Sequence, residues 1–133
     1  MKLTRASSYA IHALAYMAAQ KHDRPVPSHH IAHERGIPER FLLKVLKPLV
    51  SARVLLSVKG PNGGYRLARR PADINMLEVL EAVDGPIRGQ APFGQDENDG
   101  RLNRKLQTIC KQVADQMRGQ LIKVRLSDLM GRK

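Results

Sequence analysis

The run Gly36-Ile37-Pro38-Glu39-Arg40-Phe41-Leu42-Leu43-Lys44-Val45-Leu46-Lys47-Pro48-Leu49 decides the fold. Gly36 is suited to end a helix, because without a Cβ it enters the left-handed region freely. Pro38 suits the first turn of the next helix, where a missing N–H costs nothing, and Phe41, Leu42, Val45, Leu46 and Leu49 follow at helical spacing. At about 100° per residue, Arg40, Lys44 and Lys47 fall opposite the stripe of Phe41, Leu42, Val45 and Leu49. Such a basic face is either an ordinary solvated surface or one free to enter a nucleic-acid groove. Pro48, which has no backbone donor, predicts a kink or an early end near Lys47.

Toward the N-terminus, Pro25 and Pro27 break the chain, and Ser28 is the expected N-cap of a short helix carrying Ile31 and Ala32 that Gly36 stops. Two helices joined by a tight glycine-containing turn result. Further upstream, Lys2 and Arg5 precede an Ala-rich stretch from Ala10 to Ala19 that imitates a secretory signal. Ser7, Ser8, Tyr9 and His12 interrupt its apolar character, and the three- and four-residue spacing of Tyr9, Ala10, Ala13, Leu14 and Met17 predicts an amphipathic helix instead.

Toward the C-terminus, Leu55 to Val58 and Gly64 to Leu67 are two short strand-like runs around Lys59-Gly60-Pro61-Asn62-Gly63, whose Asn-Gly pair and glycine-rich tip predict a hairpin. Gly60, Gly63 and Gly64 would let the backbone approach phosphate or sugar, with Lys59 and Arg66 supplying charge. Directly behind a basic helix-turn-helix, such a hairpin reads as a wing.

Composition and charge agree. The 133 residues suit about one domain of roughly 150. With 42% hydrophobic and 26% charged residues the chain should fold and dissolve, and no apolar run approaches the roughly 20 residues of a membrane span. The net charge is +11, and residues 1–70 hold 13 Lys and Arg against only Asp23, Glu34 and Glu39. This basic half calls for a polyanion, nucleic acid ahead of an anionic membrane surface. The only cysteine, Cys110, forms no intramolecular disulfide and fits a reducing cytosol. His29 and His33 stand four apart beside His30, but with no H-E-x-x-H pattern and no third ligand they read as a solvated helix face. No nucleophile elbow, phosphate-binding loop or dinucleotide fingerprint is present, so neither an enzyme nor a cofactor is expected.

Gly36-Ile37-Pro38, Phe41-Leu42-x-Lys44-Val45-Leu46 and Val58-Lys59-Gly60-Pro61-x-Gly63-Gly64-Tyr65-x-Leu67-Ala68-Arg69 together resemble the Rrf-two (Rrf2) family of bacterial winged-helix transcription regulators. Leu3-Thr4-Arg5-Ala6-Ser7-x-Tyr9-Ala10, the stretch from Ile74 to Pro86 and Leu126-Ser127-Asp128-Leu129 are similar to it as well. The resemblance implies a mainly α fold with a small β-hairpin wing, in which a winged helix-turn-helix DNA-binding domain (1–84) is joined by an effector-region loop (85–101) to a dimerisation helix and tail (102–133). It further implies a homodimer on double-stranded DNA, with recognition helices in major grooves roughly 34 Å apart on a pseudo-palindrome. On matching positions, Pro38, Glu39, Arg40, Phe41 and Lys44 meet DNA, with Lys47 on the same basic face. Lys59, Gly60, Pro61, Asn62, Gly63 and Arg66 belong to the wing, and Lys2, Thr4, Arg5 and Ser28 complete the interface. Arg40 is best suited to read a guanine edge, whereas Glu39 either accepts from cytosine or is a first-turn charge favoured by the helix dipole.

Departures from the family bear on sensing. Cluster-holding members use three cysteines after the Asp84-Gly85-Pro86 region, whereas Ile87 to Arg104 here contains none. Leu43 stands where such members can carry a discriminating glutamate. No cysteine-ligated iron–sulfur cluster is therefore expected. Cys110 reads as a small buried hydrophobe, with a redox-active thiol beside Lys111 and Arg104 as the alternative. From about Asn103 to Val124 the apolar residues Leu106, Ile109, Cys110, Val113, Met117, Leu121 and Val124 recur at three- and four-residue intervals. They predict a dimer seam, with Leu126 to Met130 folding onto the partner. The acidic group Asp96, Glu97 and Asp99 reads as a solvated turn or an effector contact. The expected function is a cytoplasmic, homodimeric, sequence-specific repressor answering an unknown effector. Its rivals are a nonspecific nucleic-acid binder and a winged-helix protein-interaction module.

Overall fold

Thr4 starts the first helix: its side-chain oxygen accepts the Ser7 N–H at 3.0 Å, so α1 (Arg5–Ala18) begins with a satisfied cap. A computed structural model of the chain describes residues 1–90 and 100–130. After α1 come α2 (Ser28–Arg35), α3 (Glu39–Ser51), β1 (Leu55–Val58), β2 (Gly64–Leu67), a 3₁₀ turn (Pro71–Asp73), α4 (Met76–Asp84), α5 (Gly100–Leu121) and α6 (Leu126–Leu129). The mainly α winged-helix architecture read from the sequence is the one found. The acidic group Asp96, Glu97 and Asp99 lies outside the described residues.

One core unites the first four helices and the hairpin. Leu14 of α1, Ile31 of α2, Leu42, Leu46 and Leu49 of α3, and Val79 of α4 are all fully buried. At roughly 1.5–3 kcal/mol for each large apolar side chain removed from water, these contacts dominate the stability of the unit. Gly36, at φ 62° and ψ 36°, ends α2 in the left-handed conformation, and the Ile37 N–H returns to the Ala32 carbonyl at 2.9 Å. The antiparallel hairpin pairs Leu55 with Leu67 and Val58 with Gly64.

Three local expectations are corrected. Ser28 is not the cap of α2 but its first helical residue; Pro27 occupies the cap position, and the Ser28 hydroxyl donates to Glu39 Oε2 at 3.0 Å. Pro38 is likewise the N-cap of α3 rather than a first-turn residue, its carbonyl accepting from Phe41 and Leu42 at 3.0 Å each. Nor does α3 stop near Lys47, for it runs through Pro48 to Ser51. The carbonyl deprived of its helical donor belongs to Lys44, an exposed residue, while buried Leu46 and Leu49 hold the last turns against the core.

The C-terminal segment brings the largest correction. Leu126 to Met130 does not need a partner to fold onto: Leu126 is fully buried in the chain's own core. Its N–H donates to the Ile74 carbonyl at 2.8 Å, while the Met76 N–H donates to the Val124 carbonyl at 2.8 Å. This pair of backbone bonds straps the tail to the entry of α4. Leu121 and Val124, assigned from the sequence to the dimer seam, pack against the same intrachain core.

Candidate nucleic-acid interface

Burial of Leu42, Val45, Leu46 and Leu49 fixes the rotation of α3 and leaves Arg40, Lys44 and Lys47 exposed on its outer side. Phe41 departs from expectation. It lies about 90° from the centre of the buried stripe at 100° per residue, so it sits at the boundary and is 46% exposed rather than part of the core. Its ring is flanked by the two cations on the same face, with the Arg40 guanidinium 5.8 Å and the Lys44 ammonium 5.5 Å from the ring centroid. The outer face of α3 is thus an aromatic side chain framed by positive charge. Glu39, in the first turn of α3, is held by Ser28, an arrangement that suits a favourable charge at a helix N-terminus.

The wing stands beside this helix, fastened by backbone pairing. Val26 and Tyr65 exchange two backbone hydrogen bonds, at 2.8 and 2.9 Å, so the segment before α2 acts as a short third strand on β2. This explains two of the glycines. A Cβ on Gly64 would stand 2.4 Å from the Val26 carbonyl group, and one on Gly63 would stand 2.1 Å from the Val58 oxygen. Both are required by packing inside the wing. Gly60, at φ 107°, has open space around its Cβ direction and forms the turn with Gly63, whose N–H reaches the Gly60 carbonyl at 2.9 Å. Lys59, Pro61, Asn62 and Arg66 are exposed around it.

At the N-terminus Lys2 and Arg5 are exposed. The Thr4 hydroxyl is already engaged, donating to the Asp84 carboxylate with both oxygens at 2.9 Å, and buried Ser7 donates to Asp84 Oδ2 at 2.6 Å. The sequence reading missed Asp84 as the group that locks α1 to the end of α4; no local motif announces a pair 80 residues apart.

The model of the Rrf2 family, described as an iron-dependent transcriptional regulator, matches residues 3–132. The chain belongs to the Rrf2 family. The HTH-type transcriptional regulator IscR of Photobacterium profundum is 31% identical over 130 residues, covering 98% of this chain and 76% of that protein. Among solved structures, the global cysteine regulator CymR of B. subtilis superposes with a TM-score of 0.73 at 22% identity, over 97% of this chain and 95% of that one. IscR of T. potens superposes with a TM-score of 0.72 at 24% identity, over 97% and 85%. Membership of the Rrf2 family makes this chain a DNA-binding transcriptional regulator and not an enzyme. No helix among the described residues is long and apolar enough to cross a membrane.

Within this Rrf2 chain the segment after α4 packs against α5. Gly89 lies against the backbone of Cys110 and Lys111, where a Cβ would come within 2.3 Å. Its carbonyl accepts from Gln107 Nε2 at 2.5 Å, and Arg118 on α5 pairs with Glu81 on α4. Cys110 is half-buried there. The family's association with iron meets a donor set that does not fit a thiolate-held cluster: the chain has one cysteine, and no group of three or more His, Cys, Asp or Glu side chains converges among the described residues. His29 and His33 are exposed on α2.

Proposed function

We propose that this protein is a homodimeric, sequence-specific repressor that places the outer face of α3 from each subunit in successive major grooves of a pseudo-palindromic operator. The observation that carries the reading is the exposed Arg40–Phe41–Lys44 face standing over a fully buried α3 core. Arg40 reads a guanine edge as a bidentate donor, Lys44 and Lys47 neutralise phosphates, and Lys59, Arg66 and the open Gly60 turn reach the flanking backbone. Lys2 and Arg5 add phosphate contacts at the start of α1, and Thr4 contributes by fixing that helix end.

Residues 1–84 carry the DNA-binding work, 85–101 the effector region and 102–133 the association of subunits, with the tail anchored on the first unit. Leu102, Leu106, Ile109 and Val113 support association, since all four are exposed along one side of α5. Sensing proceeds without a cysteine-ligated cluster, through a small ligand, the Cys110 thiol or a protein partner, in the cytoplasm. Salt-titrated binding to the promoter of its own operon tests the reading. The specific site should bind about a thousandfold tighter than random duplex. Equal affinity for both would favour a nonspecific binder, and no affinity for either a protein-interaction module.

A further inference from the structure

Between the start of α1, the start of α3 and the end of α4 lies a groove of about 500 Å³, within the range of small-molecule sites of roughly 300–1,000 Å³. Ala6, Tyr9, Phe41, Val45 and Val83 form its walls. Arg5 and Lys44, both exposed, are the charged residues lining it. Neither forms an ion pair among the described residues. The neighbouring carboxylate, Asp84, is turned to the hydroxyls of Thr4 and Ser7. The site is therefore an apolar slot with uncompensated positive charge and no lining acid. Its chemistry selects one kind of occupant, an amphipathic monoanion with an aliphatic or aromatic body and a carboxylate head.

We propose that this groove binds such an amphipathic carboxylate, with the head between Arg5 and Lys44 and the body against Tyr9, Phe41 and Val83, and that occupancy excludes duplex DNA. Exclusion follows because Phe41, Lys44 and Arg5 are shared by the two ligands; that half of the proposal rests on the reading of α3 given above, whereas binding of the carboxylate does not. A direct inducer site on the reading head would need no signal relayed from the region after α4.

The test uses the full chain and straight-chain carboxylates from hexanoate to decanoate, below their micelle concentrations, by calorimetry. One saturable site per chain is expected, tightening by about fourfold per added methylene, with decanol at least tenfold weaker than decanoate. Val83→Trp and Ala6→Leu, two independent ways of filling the slot, should each weaken decanoate at least tenfold while circular dichroism remains that of the folded protein; Lys105→Gln on α5 should not. Decanoate should release bound promoter duplex in proportion to its occupancy. Equal affinity for decanol, no dependence on chain length, or unchanged binding in both filled variants overturns the proposal. A change of sedimentation in the filled variants overturns it too, assigning the groove to a second copy of the chain. Saturable binding without duplex release removes the exclusion. A protein that binds no duplex even without decanoate counts against the α3 reading alone, and the chain-length series still decides the groove.

Discussion

Arg69 grips Glu78 through both prongs of its guanidinium, Nη2 donating to Oε1 at 2.5 Å and Nη1 to Oε2 at 3.0 Å. The same guanidinium donates to the Arg53 carbonyl at 3.3 Å and the Asp73 carbonyl at 3.0 Å. It thereby ties the turn after α3, where Arg53 takes a positive φ of 62°, to the 3₁₀ turn and to α4. Glu78 also closes a capping box, accepting the Asn75 N–H at 3.0 Å while its own N–H donates to Asn75 Oδ1 at 2.9 Å. The exit of the wing is thus bolted to the helix that follows it.

This clasp sets an acid limit on stability. Burial alone would push the Glu78 carboxyl up, but the hydrogen bonds from Arg69 and from the Asn75 N–H, with the charges of Arg69 and Arg125, hold it below the ordinary carboxylate range. A carboxyl lowered by folding stabilises the native state above its unfolded value of roughly 4.3 and loses that contribution as pH falls through the folded value. Glu78→Gln, which keeps the cap geometry, should cost about 1–2 kcal/mol at pH 7. Urea unfolding of both proteins should show the difference shrinking as pH is lowered below about 4. A gap independent of pH would mean the charge contributes nothing.

Arg40 and Lys59 should separate reading from holding. Arg40→Ala removes the side chain proposed to read a base edge and should relax preference at one position of each half-site by about 1–3 kcal/mol. Lys59→Ala should weaken every duplex alike and lower the salt slope by about one unit. Competition binding with single-base operator variants at several salt concentrations distinguishes them. If Arg40→Ala left the preference untouched, another face of the protein would read DNA.

The fastening of the wing is tested at Gly64. Its φ of 151° and the 2.4 Å approach to the Val26 carbonyl group leave no room for a methyl, so Gly64→Ala should cost about 2–3 kcal/mol and unpair Val26 from Tyr65. Hydrogen exchange at those two amides is the direct readout. Faster exchange there, with α3 amides still protected, is expected; unchanged exchange would show that the backbone accommodates the methyl elsewhere.

Much of this was legible because it is local. Both strands have the bounds read from the sequence, since the Asn-Gly pair and the glycine-rich tip between two short strand-like runs are short-range signals. Gly36 ends α2 for the same kind of reason. What escaped depends on distant neighbours. Phe41 sits at the edge of its stripe, and only the shape of the packed core decides whether an edge residue is covered. Thr4 and Asp84 meet across 80 residues. Leu126 is drawn into the chain's own core by Ile74, a contact no periodicity reveals. The Asn75–Glu78 capping box, by contrast, carries a sequence signature and was there to be read.

In the proposed homodimer, that return of the tail narrows where two subunits can meet. With Leu121 and Val124 committed to the intrachain core, the seam available to a partner is Leu102, Leu106, Ile109 and Val113, at steps of four, three and four, exposed by 49, 40, 55 and 49%. Those steps keep the four residues on one side of a helix and match the spacing of a two-helix interface. Ile109, the most exposed of them, contributes little to its own subunit, so Ile109→Glu should leave the far-ultraviolet spectrum unchanged. Sedimentation should shift from dimer to monomer, and the melting temperature should lose its dependence on protein concentration. Because the second half-site then has to be bound independently, operator affinity should fall by about 10²–10⁴-fold, while binding to a single half-site stays as it was. A variant that still sediments as a dimer would move the subunit interface off α5.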